Sequence, residues 1–248
     1  MIAALPMYDR PEARHATDRF WQAIRTALGE GPARLTRDRD PWQIWTDPDL
    51  LLAQTCGLPY RTRLHGRVHL VGTPDHGLPG CPPGHYNSVL VTRPGAPRDF
   101  AAFRGRRLAV NDLGSQSGWA APQQHAVRHG FAFADPLITG AHAASARAVA
   151  EGRADIAAID AQSWRMIRAH DPRAGDLAEL ARTAPTPALP YITAFAERAA
   201  PLAAAIRTAI GGLAPQDAAC LGLRGLCTIP ASAYLAVPTP APARAECD

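Results

Sequence analysis

The stretch RRLAVNDLGSQSG, Arg106–Gly118, decides the reading of this chain. RRLAV ends in an apolar run of strand length, and NDLGSQSGWAAP (Asn111–Pro122) leads from it into a helical pattern running from about Ser117 to Gly130. Ser115 and Ser117 flank Gln116 at this junction, between Gly114 and Gly118. A helix N-terminus carries unpaired N–H groups and about half a positive charge. With glycine to let a ligand approach and hydroxyls to donate, such a junction is an anion site that needs no cationic side chain. The plainer alternative is a serine N-cap on a glycine-rich turn.

The next two strand-to-helix junctions have the same style. ITGAHAAS (138–145) sets Thr139, Gly140, His142 and Ser145 at one, and AAIDAQSW (157–164) sets Asp160 at the following one. Neighbouring parallel strands end along one edge of a sheet, where ligands bind. The three junctions therefore bring hydroxyls, an imidazole and a carboxylate to one crevice. A structural role for His142 and a capping role for Asp160 are the alternatives.

Strands and helices alternate along the rest of the chain, which predicts an α/β fold with a mostly parallel sheet and helices on both faces. Residues 2–8 read as a first strand. A helix follows from Thr17 as N-cap to Gly29 as C-cap. ARLTRD (33–38) reads as a second strand, and TDPDLLLAQTCG (46–57) as a helix capped by Thr46 or Asp47. Strands are expected at 67–74, 86–92, 106–110, 135–140, 154–160 and 189–196. Helices are expected at 98–105, 141–152, 161–170, 200–213 and 215–223. The segment 75–86, dense in Gly and Pro, is a loop, and the Pro/Ala-rich end, 237–248, reads as mobile. The run 95–187 is a self-contained βαβαβα unit. The segments on either side have too few strands for separate sheets. This predicts one lobe from 1–90 and 191–248 and a second from 91–190, with crossings near Val91 and Tyr191.

Composition narrows the chemistry. The chain has 248 residues, 47% of them apolar, and a formal net charge of only +4, with arginines scattered among acids. That provides a core and argues against a nucleic-acid surface. There is no lysine, so a Walker A loop and a pyridoxal Schiff base are excluded. The five cysteines, at 56, 81, 220, 227 and 247, form no CxxC pair and no zinc spacing. Cys56 with Cys81, or Cys220 with Cys227, are candidate disulfides in an oxidising compartment, with buried thiols the alternative. No cofactor or metal is expected. No stretch is long or apolar enough to span a membrane. None reads as a signal peptide, so the expectation is a cytoplasmic chain, or a periplasmic one whose leader lies outside this stretch.

DLLLAQTCG, GCPPGHYNSVLV, RGRRLAVNDLGSQSG, TGAHAASARAVAEGRADIAAIDAQSW and ALPYITAF resemble the PhnD-like phosphate/phosphonate substrate-binding proteins of ABC importers, over roughly residues 40–225. The most specific part is the ordered series of serine loop, TGAH and GRADIAAID. The resemblance implies the two-lobed type 2 periplasmic binding protein fold, with two crossover strands and a ligand cleft between the lobes. It implies a monomer that hands a small anion to an ABC permease. It places Ser115, Gln116, Ser117 and Gly118 on the oxyanion, with His142 and Asp160 beside them. Aromatics of the first lobe, drawn from Tyr8, Trp42, Trp45 and Tyr86, would line the cleft. Trp42 and Trp45 equally suit the core face of one helix. The Ser-Gln-Ser order departs from the three consecutive hydroxyl residues usual in phosphonate binders. Two other functions fit the same fold: a cytoplasmic enzyme of the menaquinone-pathway kind, with His142 and Asp160 as acid and base on a small carboxylate, and a ligand sensor.

Overall fold

The computed structural model describes residues 1–241. The chain divides into two compact units. The first comprises Met1–His85 and Pro187–Ala236; the second comprises Tyr86–Thr186 and the segment from Val237 onward.

In chain order the first unit opens with β1 (Ile2–Ala4), α1 (Arg14–Leu28), α2 (Pro41–Trp45), β2 (Leu50–Gln54) and α3 (Gly57–Pro59). A π-helical turn extends α3 through Leu64, and β3 (His69–Asp75) and β4 (His85–Tyr86) follow. The second unit contains β5 (Ser88–Thr92), β6 (Leu108–Val110), α4 (Ala121–Arg128), β7 (Leu137–Ile138) and α5 (His142–Ala150). It continues through β8 (Ile156–Asp160), α6 (Ala161–His170), β9 (Ala178–Arg182) and β10 (Thr186–Pro187). The chain then returns through β11 (Tyr191–Thr193), α7 (Ala199–Gly211), α8 (Pro215–Leu221), β12 (Gly225–Cys227) and α9 (Ala231–Leu235).

The first unit's sheet has the order β1-β2-β11-β3-β12. β1 and β2 are parallel, whereas β11 runs antiparallel to both of its neighbours and β12 antiparallel to β3. The second unit's sheet has the order β7-β6-β8-β5-β9. There β6 is parallel to β7 and β8, and β5 is antiparallel to β8 and β9. β4 and β10, where the chain passes between units, form a two-stranded sheet. The sheets are thus mixed, not mostly parallel. A parallel neighbour requires a crossover connection within the sheet; β5 and β11 arrive from the other unit and escape that requirement.

Helix α1 buries Ala16, Thr17, Phe20, Trp21 and Ile24, the stripe its 3.6-residue period dictates. It starts at Arg14, ahead of the expected cap: Thr17 lies inside it, its hydroxyl donating to the Ala13 carbonyl at 3.1 Å. Gly29, at φ +83°, ends it with its N–H on the Arg25 carbonyl. The α1 face meets Leu202 and Ile206 of α7 over Leu51 and Leu52. A second cluster joins Leu50 and Ala53 to Ile44, Trp45, Tyr60, Ile192 and Tyr234.

Covered on both faces, β2 is buried throughout and apolar from Leu50 to Ala53, with the buried Gln54 at its end. That pattern explains why 50–54, the middle of the range 46–57 read as a helix, is a strand: full burial removes the alternation that marks a half-exposed one. Asp47 does not cap a helix there; its carboxylate turns the chain by accepting from the Asp49 N–H at 2.9 Å. The expected strand at 33–38 is absent; the Thr36 N–H donates to the Ala3 carbonyl at 2.8 Å without a ladder forming.

The second unit's core gathers Leu90, Phe100, Phe103, Leu108, Trp119, Phe131, Phe133 and Ile156. Cys56, Cys81, Cys220 and Cys227 form no disulfide among the described residues, so neither candidate pairing is made; Cys247 lies outside the described residues. Of the C-terminal segment, 237–241 lies against α4, where Gln124 Nε2 donates to the Pro238 carbonyl. Residues 242–248 lie outside the described part. No helix among the described residues is long and apolar enough to cross a membrane.

Candidate functional site

β6 ends at Val110, and the chain turns through Asn111–Gly114 into a π-helical turn, Gln116–Ala120, that feeds α4. Ser115 is the N-cap of that turn: its hydroxyl accepts from the Gly118 N–H at 3.0 Å. Ser115, Gln116 and Ser117 are all buried. Gly118 lets the Asn111 side chain approach, because a Cβ there would meet Asn111 Oδ1 at 1.9 Å unless that side chain moved. Asn111 Oδ1 is itself a buried acceptor without a hydrogen bond.

Ser117 is held at both polar ends. Its carbonyl accepts from the Ser88 hydroxyl on β5 at 2.8 Å, and its own hydroxyl lies 3.0 Å from His142 Nε2 at the first turn of α5. The Ser115 and Ser117 hydroxyl oxygens are 3.4 Å apart. His142 follows Gly140, which has φ +83°, and Ala141 offers α5 no side-chain cap. Thr139 closes that junction through Ser145, hydroxyl to hydroxyl at 2.7 Å, and through the Val110 carbonyl at 3.0 Å.

Burial pushes the His142 pKa down to about 4 against an opposing pull from the Ala158 carbonyl, which favours a proton on the ring. At neutral pH the ring is therefore uncharged. Its Nε2 is free to accept from the Ser117 hydroxyl if the proton sits on Nδ1. Positive potential at this junction then comes from backbone N–H groups, not from the imidazole.

Asp160 ends β8 and caps α6, its carboxylate accepting from the Ser163 N–H at 2.7 Å. The structural alternative raised from the sequence is thus realised for this residue. In the ladder Asp160 stands opposite Ser88, the residue that bonds Ser117. Two of the three strand-to-helix junctions thus meet through Ser117 and His142, and the third stands beside them through the pairing of Asp160 with Ser88. Sequence reasoning missed Ser88, which joins them, and Thr183, whose hydroxyl accepts from the Ser88 N–H at 2.9 Å. Neither stands at a strand-to-helix junction, the signal on which the other residues were picked.

The aromatic candidates are distributed differently. Tyr86 is buried in β4. Tyr8 belongs to the first unit and meets His76 edge-on, with ring centroids 5.1 Å apart. Trp42 packs edge-on against Trp45 at 5.1 Å on α2, and the Arg63 guanidinium lies 3.9 Å over the Trp42 ring. Trp45 is a core residue whose indole donates to the Gln54 carbonyl at 3.0 Å. No cluster of three or more His, Cys, Asp or Glu side chains suited to a metal occurs among the described residues.

Comparison with known proteins bears on the family and the fold. Residues 56–226 match the family described as ABC transporter, phosphonate, periplasmic substrate-binding protein. Among solved structures, PhnD1 from Prochlorococcus marinus in complex with methylphosphonate superposes with a TM-score of 0.71 at 14% identity, over 94% of each chain. XAC2383 from Xanthomonas citri bound to chloride ion gives 0.69 at 15% identity, over 94% of this chain and 92% of the other. A binding-protein component of a Pseudomonas aeruginosa ABC phosphonate transporter gives 0.66 at 15% identity, over 94% and 82%. No curated protein matches the sequence significantly. The structural likenesses establish the two-lobed fold of periplasmic binding proteins. The sequence match covers well over half of the chain, and the chain belongs to the family of phosphonate-type substrate-binding proteins of ABC transporters.

Proposed function

We propose that the convergent strand ends of the second unit bind the oxyanion of a small phosphonate, phosphate or related organic anion, which the protein delivers to an ABC permease. Solute binding follows from family membership; the assignment of this site and this ligand class is the further step. The observation that carries it is the linkage of Ser115, Ser117 and His142, with Ser88 bracing the Ser117 carbonyl. Two hydroxyls are preset at a helix start whose first N–H groups lack intrahelical acceptors.

With His142 neutral, the donors are the backbone amides and the serine hydroxyls. Nε2 then accepts from a ligand oxygen that retains its proton, or from Ser117 when it does not. Gln116 in place of a third hydroxyl widens the range toward anions other than a strict phosphonate. The reading places the protein in the periplasm, where the family works. The enzymatic alternative draws no support from the family.

Isothermal titration with methylphosphonate and with inorganic phosphate tests the site. Each hydrogen bond to a charged group contributes about 1.5–3 kcal/mol, so Ser117→Ala is expected to weaken binding by about tenfold or more. Unchanged affinity in that variant, for the anion that the wild type binds, would remove Ser117 from the site.

A further inference from the structure

Outside the strand ends, the second unit contains a cavity of ≈740 Å³, within the range of small-molecule sites. Its walls are one face of α4 with the preceding turn, the loop 132–134, and the C-terminal segment 238–241. Val127 gives it an exposed apolar wall, Trp119 and Phe133 border it while remaining mostly buried in the core at 3% and 4% exposure, and Pro238 and Pro240 close one side. The walls are braced: Gln123 spans from α4 to the loop, donating to the Phe133 carbonyl at 2.7 Å and accepting from the Phe133 N–H at 3.0 Å. Gln124 fixes the C-terminal segment through the Pro238 carbonyl. Arg128 also lines the cavity, is exposed, and has no carboxylate partner among the described residues. Val127, on the same wall, is 66% exposed.

An apolar, braced hollow with a guanidinium that has no carboxylate partner among the described residues fits a particular ligand chemistry. We infer that this cavity is a second small-molecule site, for an organic acid with an apolar body, whose anionic head pairs with Arg128 while its body lies against Trp119, Val127 and Phe133. The C-terminal segment 238–241 forms one wall of it. A guanidinium offers a planar fork to a carboxylate or sulfonate, and the aromatic lining favours a flat or branched body over a bare inorganic anion.

The probe is 8-anilinonaphthalene-1-sulfonate, followed by its fluorescence and by displacement with octanoate. Wild type is expected to bind it saturably. Arg128→Gln and Val127→Glu each weaken binding at least tenfold, and both stand on exposed positions where folding is retained. Ser117→Ala binds the probe as wild type does, which separates this site from the oxyanion site whether or not that reading stands. A chain ended after Ala241 keeps its affinity, and one ended after Ala236 loses at least tenfold. Binding that ignores Arg128 and Val127, or that Ser117→Ala abolishes, overturns the inference. So does binding that emerges only once 242–248 are removed, because the chain's own end would then be the occupant.

Discussion

At the scale of single residues, Ser117 shows how a small side chain becomes a site. Its backbone carbonyl and its hydroxyl are committed to different elements, β5 through Ser88 and α5 through His142. The hydroxyl's partner has its pKa pushed down to about 4 by burial. Linkage gives the sign. Between pH 4 and pH 6.5 the unfolded chain binds a proton at this histidine that the folded chain refuses, so stability rises with pH across that window and falls as pH drops through it. The contribution approaches ~1.4 kcal/mol per pH unit within the window. His125, also lowered by burial with help from His129 and Arg128, acts in the same direction. The His142 share is therefore read as a difference: urea unfolding of wild type and His142→Gln at several pH values, with the variant showing the shallower slope between pH 4 and 6.5. Parallel slopes would mean that this ring titrates normally.

The serines and His142 were legible in sequence because glycine-punctuated strand-to-helix junctions advertise themselves. Ser88 was not, since a strand hydroxyl carries no local signature of the carbonyl it will meet. Asp160 was legible in position, and its capping bond to Ser163 is the role any aspartate before a helix is suited to.

At the scale of elements, the amphipathic helix α1 announced itself, and the fully buried strands β5, β6 and β8 lie within their expected ranges, whereas β2 does not. The stripe of α1 fell where periodicity put it, with only the start displaced. β2 inverted the expectation. Its residues Leu50–Gln54 are all buried, and from Leu50 to Ala53 its sequence is an apolar run without alternation. The capping residues ahead of it, Thr46 and Asp47, belong to the end of α2 and a turn. What decided between strand and helix was the covering of both sheet faces, a tertiary fact absent from any local window. Leu52, fully buried and packed in the α1–α7 cluster, tests that account. Leu52→Ala removes apolar contacts and leaves a cavity, for an expected loss of about 2–5 kcal/mol. Chemical denaturation of the variant checks it; a loss below about 1 kcal/mol would place Leu52 outside the packed interior.

At the scale of the whole molecule, the two units are unequal in how the chain builds them. The strands of the second unit's main sheet, β5 to β9, lie within Tyr86–Thr186. The first unit's sheet is interrupted by that entire segment, and its central strand, β11, comes from beyond it. β11 pairs with β2 on one side and β3 on the other, and its Tyr191, Ile192 and Thr193 are almost wholly buried. Without it, β2 and β3 would each present an unpaired edge, and the faces covered by α7 would be open to water. A chain ended after Thr186 should therefore fold its second unit alone, lacking only the segment from Val237, while residues 1–85 remain unassembled. Hydrogen exchange read by mass spectrometry distinguishes the outcomes. Amides of 88–92 and 156–160 should be protected nearly as in the full chain, and those of 50–54 should exchange at rates close to the unfolded limit. Protection of 50–54 in the shortened chain would show that β1, β2 and β3 assemble without β11, and the central strand would then be a late addition to a sheet already formed.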